Sequence, residues 1–260
     1  MKIKIIDKNE RKITFLLEET NPQFANALRR ISRVEIPNLA VQTVDFSKND
    51  SALYDEVISH RLALIPLVFN QKDFEPKETC KCEGKGCSLC EVVFAINKKG
   101  PGMVYSKDMK SSNPDVKPLY DNIPIVELGE DQSIKLEAMA SLGIGRSHAK
   151  FNTAVSFYRF YPSVEMNGEI KNANECIRVC PKHALDIKGN KATITDACDL
   201  CQECVKTANP KKIKITGDNT RFIFTIESVS GLSAENILLS ATKIFKEKAQ
   251  EFEKEMKKLK

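Results

Sequence analysis

The sequence has no tryptophan, and only three of its 260 residues are histidine: His60, His148 and His183. Histidine-led acid–base chemistry therefore has little to draw on. His60 stands beside Arg61 in a helical pattern, where packing or surface exposure is the simpler reading. His148 lies in "GIGRSHAKF", where Gly143 and Gly145 give a fragment of a dinucleotide fingerprint with no helical run behind it. His183, in "CPKHAL", reads as a turn or surface residue. There is no P-loop, no G-x-S-x-G and no aspartate-rich two-metal motif. These absences point to a chain that does no chemistry itself. A long apolar run is also missing. The nearest, "LALIPLVF" from Leu62 to Phe69, is too short to span a bilayer and contains Pro66. The N-terminus turns charged after Ile6, which leaves no signal-peptide core, so the expected location is cytoplasmic with no membrane contact. The net charge of +5 is dispersed and no basic block occurs, so direct sequence-specific nucleic-acid binding is not expected.

What the chain does have is nine cysteines. In a reducing compartment their clustering argues for metals rather than disulfides. Cys80, Cys82, Cys87 and Cys90 are spaced C-x-C-x4-C-x2-C in a loop with Gly84 and Gly86. Two close pairs joined by such a loop can wrap tetrahedrally around one ion, which suits a structural Zn²⁺ with no open coordination position.

The second group follows a different rule. A two-cluster ferredoxin carries two C-x2-C-x2-C-x3-C-P runs, and the last cysteine of each serves the other cluster. Cys198, Cys201 and Cys204 are the first three positions of one run, whose fourth position is Ala208. Cys180, followed by Pro181, is the fourth position of the other run and Cys176 its third; the first two are Ile170 and Ala173. Cross-ligation then gives one complete set, Cys180, Cys198, Cys201 and Cys204, and one vestigial set with Cys176 left spare. The expectation is one iron–sulfur cluster, 4Fe-4S, with 3Fe-4S as the alternative if one corner is labile. Four thiolates also accept zinc, and on the residues alone that reading stays open.

Apolar residues make up 42% and charged residues 29%, as in a folded chain able to build one large domain or a few smaller ones. Residues 2–6 and 12–17 read as a β-hairpin. A helix follows, capped by Thr20 or Asn21, with Pro22 in its first turn, Phe24, Leu28 and Ile31 on one face, and Arg29 and Arg30 beside it; it stops before Pro37. A second helix is predicted within 51–67, with a stripe of Leu53, Val57 and Leu64 flanked by Ile58, Leu62 and Ile65. Strands are predicted at 91–96, 102–106, 134–139 and 151–160, a hairpin at 185–194 around Gly189 and Asn190, and another hairpin over 211–228. The last segment predicts a long helix capped by Ser233. Leu238, Phe245, Phe252 and Leu259 recur every seven residues, with Ala241, Ala249 and Met256 filling the stripe.

Four separated blocks, "NPQFANALRRISRVEIPNLAV", "YDEVISHRLALIPL", "ASLGIGRSHAKF" and "FTIESVSGLSAENILLSATKIF", resemble in order the family of D subunits of archaeal DNA-directed RNA polymerase. That family is similar to the third-largest subunit of eukaryotic RNA polymerase II and to the bacterial alpha subunit N-terminal domain. The resemblance implies an α+β fold in three parts. An alpha-subunit-like dimerisation domain would be formed by both chain ends, 1–38 and 214–260. A mostly β insert domain at 39–165 would hold the cysteine loop, which resembles the zinc loop of the eukaryotic counterpart. A ferredoxin-like iron–sulfur module would cover 166–213. It also implies a non-catalytic assembly role: pairing with a small subunit L, then joining subunits N and P and the large subunits. Phe24, Leu28, Arg29 and Arg30 match the block that contacts partners, and Leu238, Phe245 and Phe252 line the terminal helix. Residues from Asp55 to Leu67 look like the surface for the second-largest subunit. The competing class is an electron-transfer or redox-sensing protein.

Overall fold

The computed structural model describes residues 1–258, so Leu259 of the predicted heptad series lies outside the described residues. The chain begins with a hairpin of β1 (Lys2–Lys8) and β2 (Lys12–Glu18). Its turn is shaped by Asn9, whose Oδ1 accepts from the Arg11 and Lys12 amides. Helix α1 (Pro22–Val34) follows. Asn21 is the residue that caps it, taking the Phe24 amide at 2.9 Å. Next come β3 (Asn38–Asn49), α2 (Asp55–Ala63), β4 (Leu67–Val68), β5 (Glu91–Lys99), β6 (Gly102–Tyr105), β7 (Lys110–Ser111), β8 (Lys117–Pro118), β9 (Pro124–Leu128) and β10 (Ser133–Gly143). The remainder holds β11 (Ala154–Met166), α3 (Ala173–Arg178), β12 (Leu185–Lys188), β13 (Lys191–Ile194), α4 (Glu203–Thr207), β14 (Ile213–Ser228) and α5 (Ala234–Lys258). No helix among the described residues is long and apolar enough to cross a membrane.

Two compact units result. The first combines Met1–Lys8, Thr14–Ala27 and Phe157–Thr225. It contains most of a sheet ordered β1-β2-β14-β11 and, further along the same stretch, the β12-β13 hairpin with α3 and α4. Sequence-distant strands meet here through aromatic rings: Phe15 stacks on Phe224 at 5.2 Å, and Phe222 packs against Tyr158 and Phe160 at 5.5 and 5.3 Å. The second unit combines Asn9–Ile13, Leu28–Ser156 and the chain from Ile226 onward. Its sheet is ordered β3-β10-β5-β7. The alternating positions Val92, Phe94 and Ile96 of β5 lie opposite Ala140, Ala138 and Leu136 of β10, and all six are buried. In the same unit the Arg11 guanidinium donates to the carbonyls of Ser230 and Ser228 at 2.7 and 2.9 Å, and the Ala234 amide donates to the Glu10 carbonyl. The N-terminal turn is thereby tied to the start of α5.

Two expectations are corrected. The predicted hairpin over 211–228 is one continuous 16-residue strand, β14. Gly217, Asp218 and Asn219 suggest a turn, but Gly217 serves close approach: a Cβ there would lie 2.5 Å from Phe160 Cβ. On α2 the stripe also differs. Ile58, Leu62 and Ile65 are buried, while Val57 and Leu64 are 40% and 56% exposed. The helix is a short one starting at Asp55, and Arg61 fixes its rotation by donating to the Ile125 carbonyl at 2.7 Å.

Gly217→Val should lower the free energy of unfolding by about 1–3 kcal/mol through overpacking against Phe160. Asn219→Ala, at an exposed position of the same strand, should stay within about 0.5 kcal/mol. Urea denaturation of the two variants distinguishes this strand from a turn, in which Asn219 would be the sensitive position.

Candidate functional site

The first cysteine group is assembled by two tight turns. The Glu83 amide donates to the Cys80 carbonyl and the Cys90 amide to the Cys87 carbonyl, both at 3.0 Å. Between them Glu83, Gly84 and Gly86 have φ of 54°, 80° and 89°, a left-handed run that reverses the chain and that glycine adopts most readily. The result brings Cys80 Sγ to 3.5 Å from Cys87 Sγ, Cys82 Sγ to 3.5 Å from Cys90 Sγ, and Cys87 Sγ to 3.7 Å from Cys90 Sγ. All four sulfurs lie within 4.8 Å of one another. A tetrahedron of thiolates around an ion with ~2.3 Å bonds has edges of about 3.8 Å, so the group can hold a single metal ion. Burial pushes the Cys90 thiol up to about 12, against the pull of the Cys87 amide. Burial pushes the same way on Cys82, but hydrogen bonds from the Cys90 and Cys80 thiols and the Gly86 amide outweigh it and bring Cys82 down to about 7. One thiolate shared among neighbouring thiols is the arrangement a cation completes.

The second group is built otherwise. Cys180 follows α3, Cys204 lies in α4, and Cys198 and Cys201 sit in the loop before α4. All four line one cavity, walled by Leu185, Ile194 and Ile215. Cys180, Cys198 and Cys204 are buried and Cys201 is exposed. Amides of Ala184 and Leu200 point at Cys180 Sγ and Cys198 Sγ, each at 3.4 Å. Leu200 and Gln202 hold φ of 63° and 68°. Left-handed conformations at such residues cost about 1 kcal/mol or more each and persist when the surroundings impose them. Here the loop turns its sulfurs inward and its backbone donors toward them. Burial pushes Cys198 up, and Cys204 up to about 11, so thiolates in this cavity need a positive centre beside them. Among the described residues, the Cys80 group is the set gathered tightly enough for one ion; the second foursome lines a cavity. Four thiols around one cavity, with two amides turned inward, are a donor set that suits a metal centre. The vestigial positions Ile170, Cys176 and Ala208 are buried in the core of this segment, with Ala173 partly buried.

Two supports of the ligand loop are not legible from motif spacing. Arg159 donates to the Cys198 carbonyl at 2.8 Å, and Gln202 Nε2 to the Ile215 carbonyl at 3.1 Å. Arg159 precedes the loop by 39 residues on a strand, and only the folded sheet brings it there. His60 is exposed on α2, and His148 Nδ1 accepts the Lys150 amide at 3.1 Å.

The remaining candidates lie on α1 and α5. On α1, Leu28 is buried in the chain's own core, Phe24 and Arg29 are half-buried, and Arg30 is exposed. Helix α5 starts inside the second unit, with Ala234, Ile237 and Ala241 buried. Ser240 Oγ bonds Gln71 at 3.1 Å, and Lys248 pairs with Glu35, which Arg146 also approaches at 3.4 Å. At 100° per residue Leu238, Phe245, Ala249, Phe252 and Met256 continue the buried stripe. Leu238 and Phe245 are half-buried, but Phe252 is 69% and Met256 47% exposed. The stripe runs on past the cover that the described residues give it. It leaves apolar surface exposed at the end of the described helix.

Comparison with known proteins identifies relatives along the whole length. A family described as the RNA polymerase Rpb3/RpoA insert domain matches residues 34–157. The DNA-directed RNA polymerase subunit Rpo3 of Archaeoglobus fulgidus is 37% identical over 255 residues, covering 97% of this chain and 96% of that protein. The subunit of the same name from Methanothermobacter thermautotrophicus is 37% identical over 257 residues, covering 96% and 97%. That of Pyrococcus horikoshii is 35% identical over 270 residues, covering 100% and 99%.

In the reduced, metal-free chain, alkylation near neutral pH should label exposed Cys201 well before Cys204, whose thiol is buried and pushed up to about 11. Fully buried Cys176 should be labelled late. Timed quenching and peptide mass spectrometry check the order.

Proposed function

The chain belongs to the Rpo3 family of DNA-directed RNA polymerase subunits and is a non-catalytic assembly subunit of that enzyme, and from this we propose how it does its work. Its terminal segments, 1–38 and 214–260, form a dimerisation domain that pairs with a small subunit L. The pair is the platform that subunits N and P and the second-largest subunit join, the last of these through residues Asp55–Leu67. The observation that carries the reading is the exposed continuation of the α5 stripe at Phe252 and Met256. Two further contacts support it. Arg11 and Glu10 bind the segment leading into α5, and Phe15 stacks on Phe224, so residues from the two chain ends meet in each compact unit. Tyr54, Val57 and Leu64 expose apolar surface on and beside α2, as a docking face for a large subunit requires. Phe24, Leu28, Arg29, Arg30, Leu238 and Phe245 complete the partner-facing set, with Leu28 acting from within by holding α1 in place.

The insert domain spans 39–165, and its Cys80, Cys82, Cys87 and Cys90 hold a structural Zn²⁺. The ferredoxin-like module spans 166–213, and Cys180, Cys198, Cys201 and Cys204 hold a 4Fe-4S cluster. When bound, each group contributes binding free energy that is folding free energy for the segment around it. The chain's own residues supply the rest: Arg159 and Gln202 hold the ligand loop, and the Ala184 and Leu200 amides face the ligand sulfurs.

Replacing Phe252 and Met256 together by glutamate removes a few kcal/mol of apolar burial, so pairing with subunit L should weaken about a hundredfold. Lys254→Glu, on the opposite side of α5, should pair normally. Co-expression followed by size-exclusion chromatography reads both, and unimpaired pairing of the double variant sinks the proposal. Anaerobically purified chain should contain about four iron and four sulfide and about one zinc. Cys204→Ser should lose the iron and keep the zinc, and Cys90→Ser should do the reverse. Each thiol must shed its proton to bind, and Cys90 is pushed up to about 12, so zinc affinity should rise with pH and zinc should leave on acidification. Zinc in both sites, with no sulfide, would refute the cluster.

A further inference from the structure

The vestigial half of the ferredoxin-like module is not simply empty of ligands. In the two-run pattern a second cluster would join the segment holding Ile170 and Ala173 to Cys176 and to the segment holding Ala208. In this chain those two segments are joined by the side chain of Asn172. Its Nδ2 donates to the Thr207 carbonyl at 2.9 Å and to Glu175 Oε2 at 2.9 Å, and its Oδ1 accepts the Asn209 amide at 2.9 Å. A backbone bond from the Lys171 amide to the Asn209 carbonyl, also 2.9 Å, runs beside it. Behind this amide Ile170, Cys176 and Ala208 are 5%, 0% and 3% exposed, a dry core where the second set of ligands would stand.

The two segments so joined carry the ligands of the complete set. Cys176 lies in α3, which leads directly into Cys180; Thr207 ends α4, which contains Cys204. Fixing Asn172 against Thr207 and Asn209 therefore fixes where Cys180 and Cys204 stand relative to each other.

We propose that Asn172, with the apolar plug behind it, is the positioning element that replaces a lost second cluster and holds Cys180 and Cys204 at the separation the remaining cluster needs. This rests on the reading that the four cysteines bind a cluster. Asn172 touches no ligand sulfur and acts through the two helices. Two consequences follow. Cys176 is filling and not a ligand. The amide matters for keeping iron more than for the stability of the rest of the chain.

The test uses the anaerobically purified chain co-expressed with subunit L. Iron release to a chelator is followed by loss of visible absorption in wild type, Asn172→Ala and Asn172→Asp. The alanine variant loses all three side-chain bonds, so its cluster should bleach about tenfold faster or more. Aspartate can still accept the Asn209 amide and should fall between the two. The initial iron content and the urea midpoint of the chain should stay near wild type in both. Cys176→Ala should carry the same iron per chain and the same electron paramagnetic resonance spectrum after reduction. Wild-type bleaching rates in Asn172→Ala, or loss of iron in Cys176→Ala, overturn the proposal while leaving the cluster reading intact. A wild-type chain without iron or sulfide overturns the cluster reading, and this inference with it.

Discussion

An amphipathic helix is stable only while its apolar stripe is covered, and α5 outruns the cover its own chain provides. At ~1.5 Å per residue its 25 residues extend about 38 Å, yet its buried residues end at Ala241. Beyond that point an ion pair of Lys248 with Glu35 holds the helix, and Phe252 and Met256 face outward. A surface ion pair is worth little, so the helix's far half is held weakly by the residues around it. Covering two large apolar side chains is worth several times more than such a pair. Such an imbalance is in keeping with a subunit of a larger enzyme, the family its relatives show. Full-length relatives named as polymerase subunits set the competing class aside.

The cysteine segments answer a different shortage. Residues Pro76–Cys90 are mostly turn, and the stretch from Gly168 to Pro210 holds only short helices and a four-residue-stranded hairpin. The first has little regular structure, and the second packs Ile170, Leu185 and Ile187 with its cysteines into a small core. Small elements of this kind lean on covalent or metal cross-links. The two cysteine sets in them are arranged differently. Cys80, Cys82, Cys87 and Cys90 are drawn close enough to share one ion, while the other four ring a cavity with apolar walls and backbone donors aimed at sulfur. Both groups have four thiols, so ligand count does not tell them apart; the loop that gathers each one differs.

Much of this is legible in the residues. Cysteine spacing locates both sets because ligand loops are local. Asn21, Pro22 and Ser233 mark helix starts because capping is local too. What sequence does not disclose depends on distant partners. Gly217 with Asp218 and Asn219 carries a turn's composition, and only Phe160 on a neighbouring strand shows that the glycine is there for clearance. On α2, two apolar faces compete in one short helix, and the Arg61 bond to Ile125 selects the Ile58 and Leu62 face, leaving Val57 and Leu64 outside. The strand β3 escapes pattern reading because its inward residues change from a continuous run, Leu39 to Val41, to an exposed ladder beyond it, so no single period holds.

Arg159, Gln202 and Asn172 share a property that explains why no motif contains them. Each binds main-chain atoms of a ligand-bearing segment or its neighbouring strand and leaves the sulfurs alone. Many side chains could bond a carbonyl, so a sequence pattern has no reason to single these out; their value comes from where the fold puts them. Arg159 reaches Cys198 from β11, and Gln202 reaches β14 at Ile215. The ligand loop is thus fastened to two strands of the sheet whose other strands come from the N-terminus. A loop with left-handed Leu200 and Gln202 would relax if released, and the strands holding it would lose those bonds at the same moment. The order of the cysteine loop and that of β11 and β14 are therefore coupled through the Arg159 and Gln202 bonds.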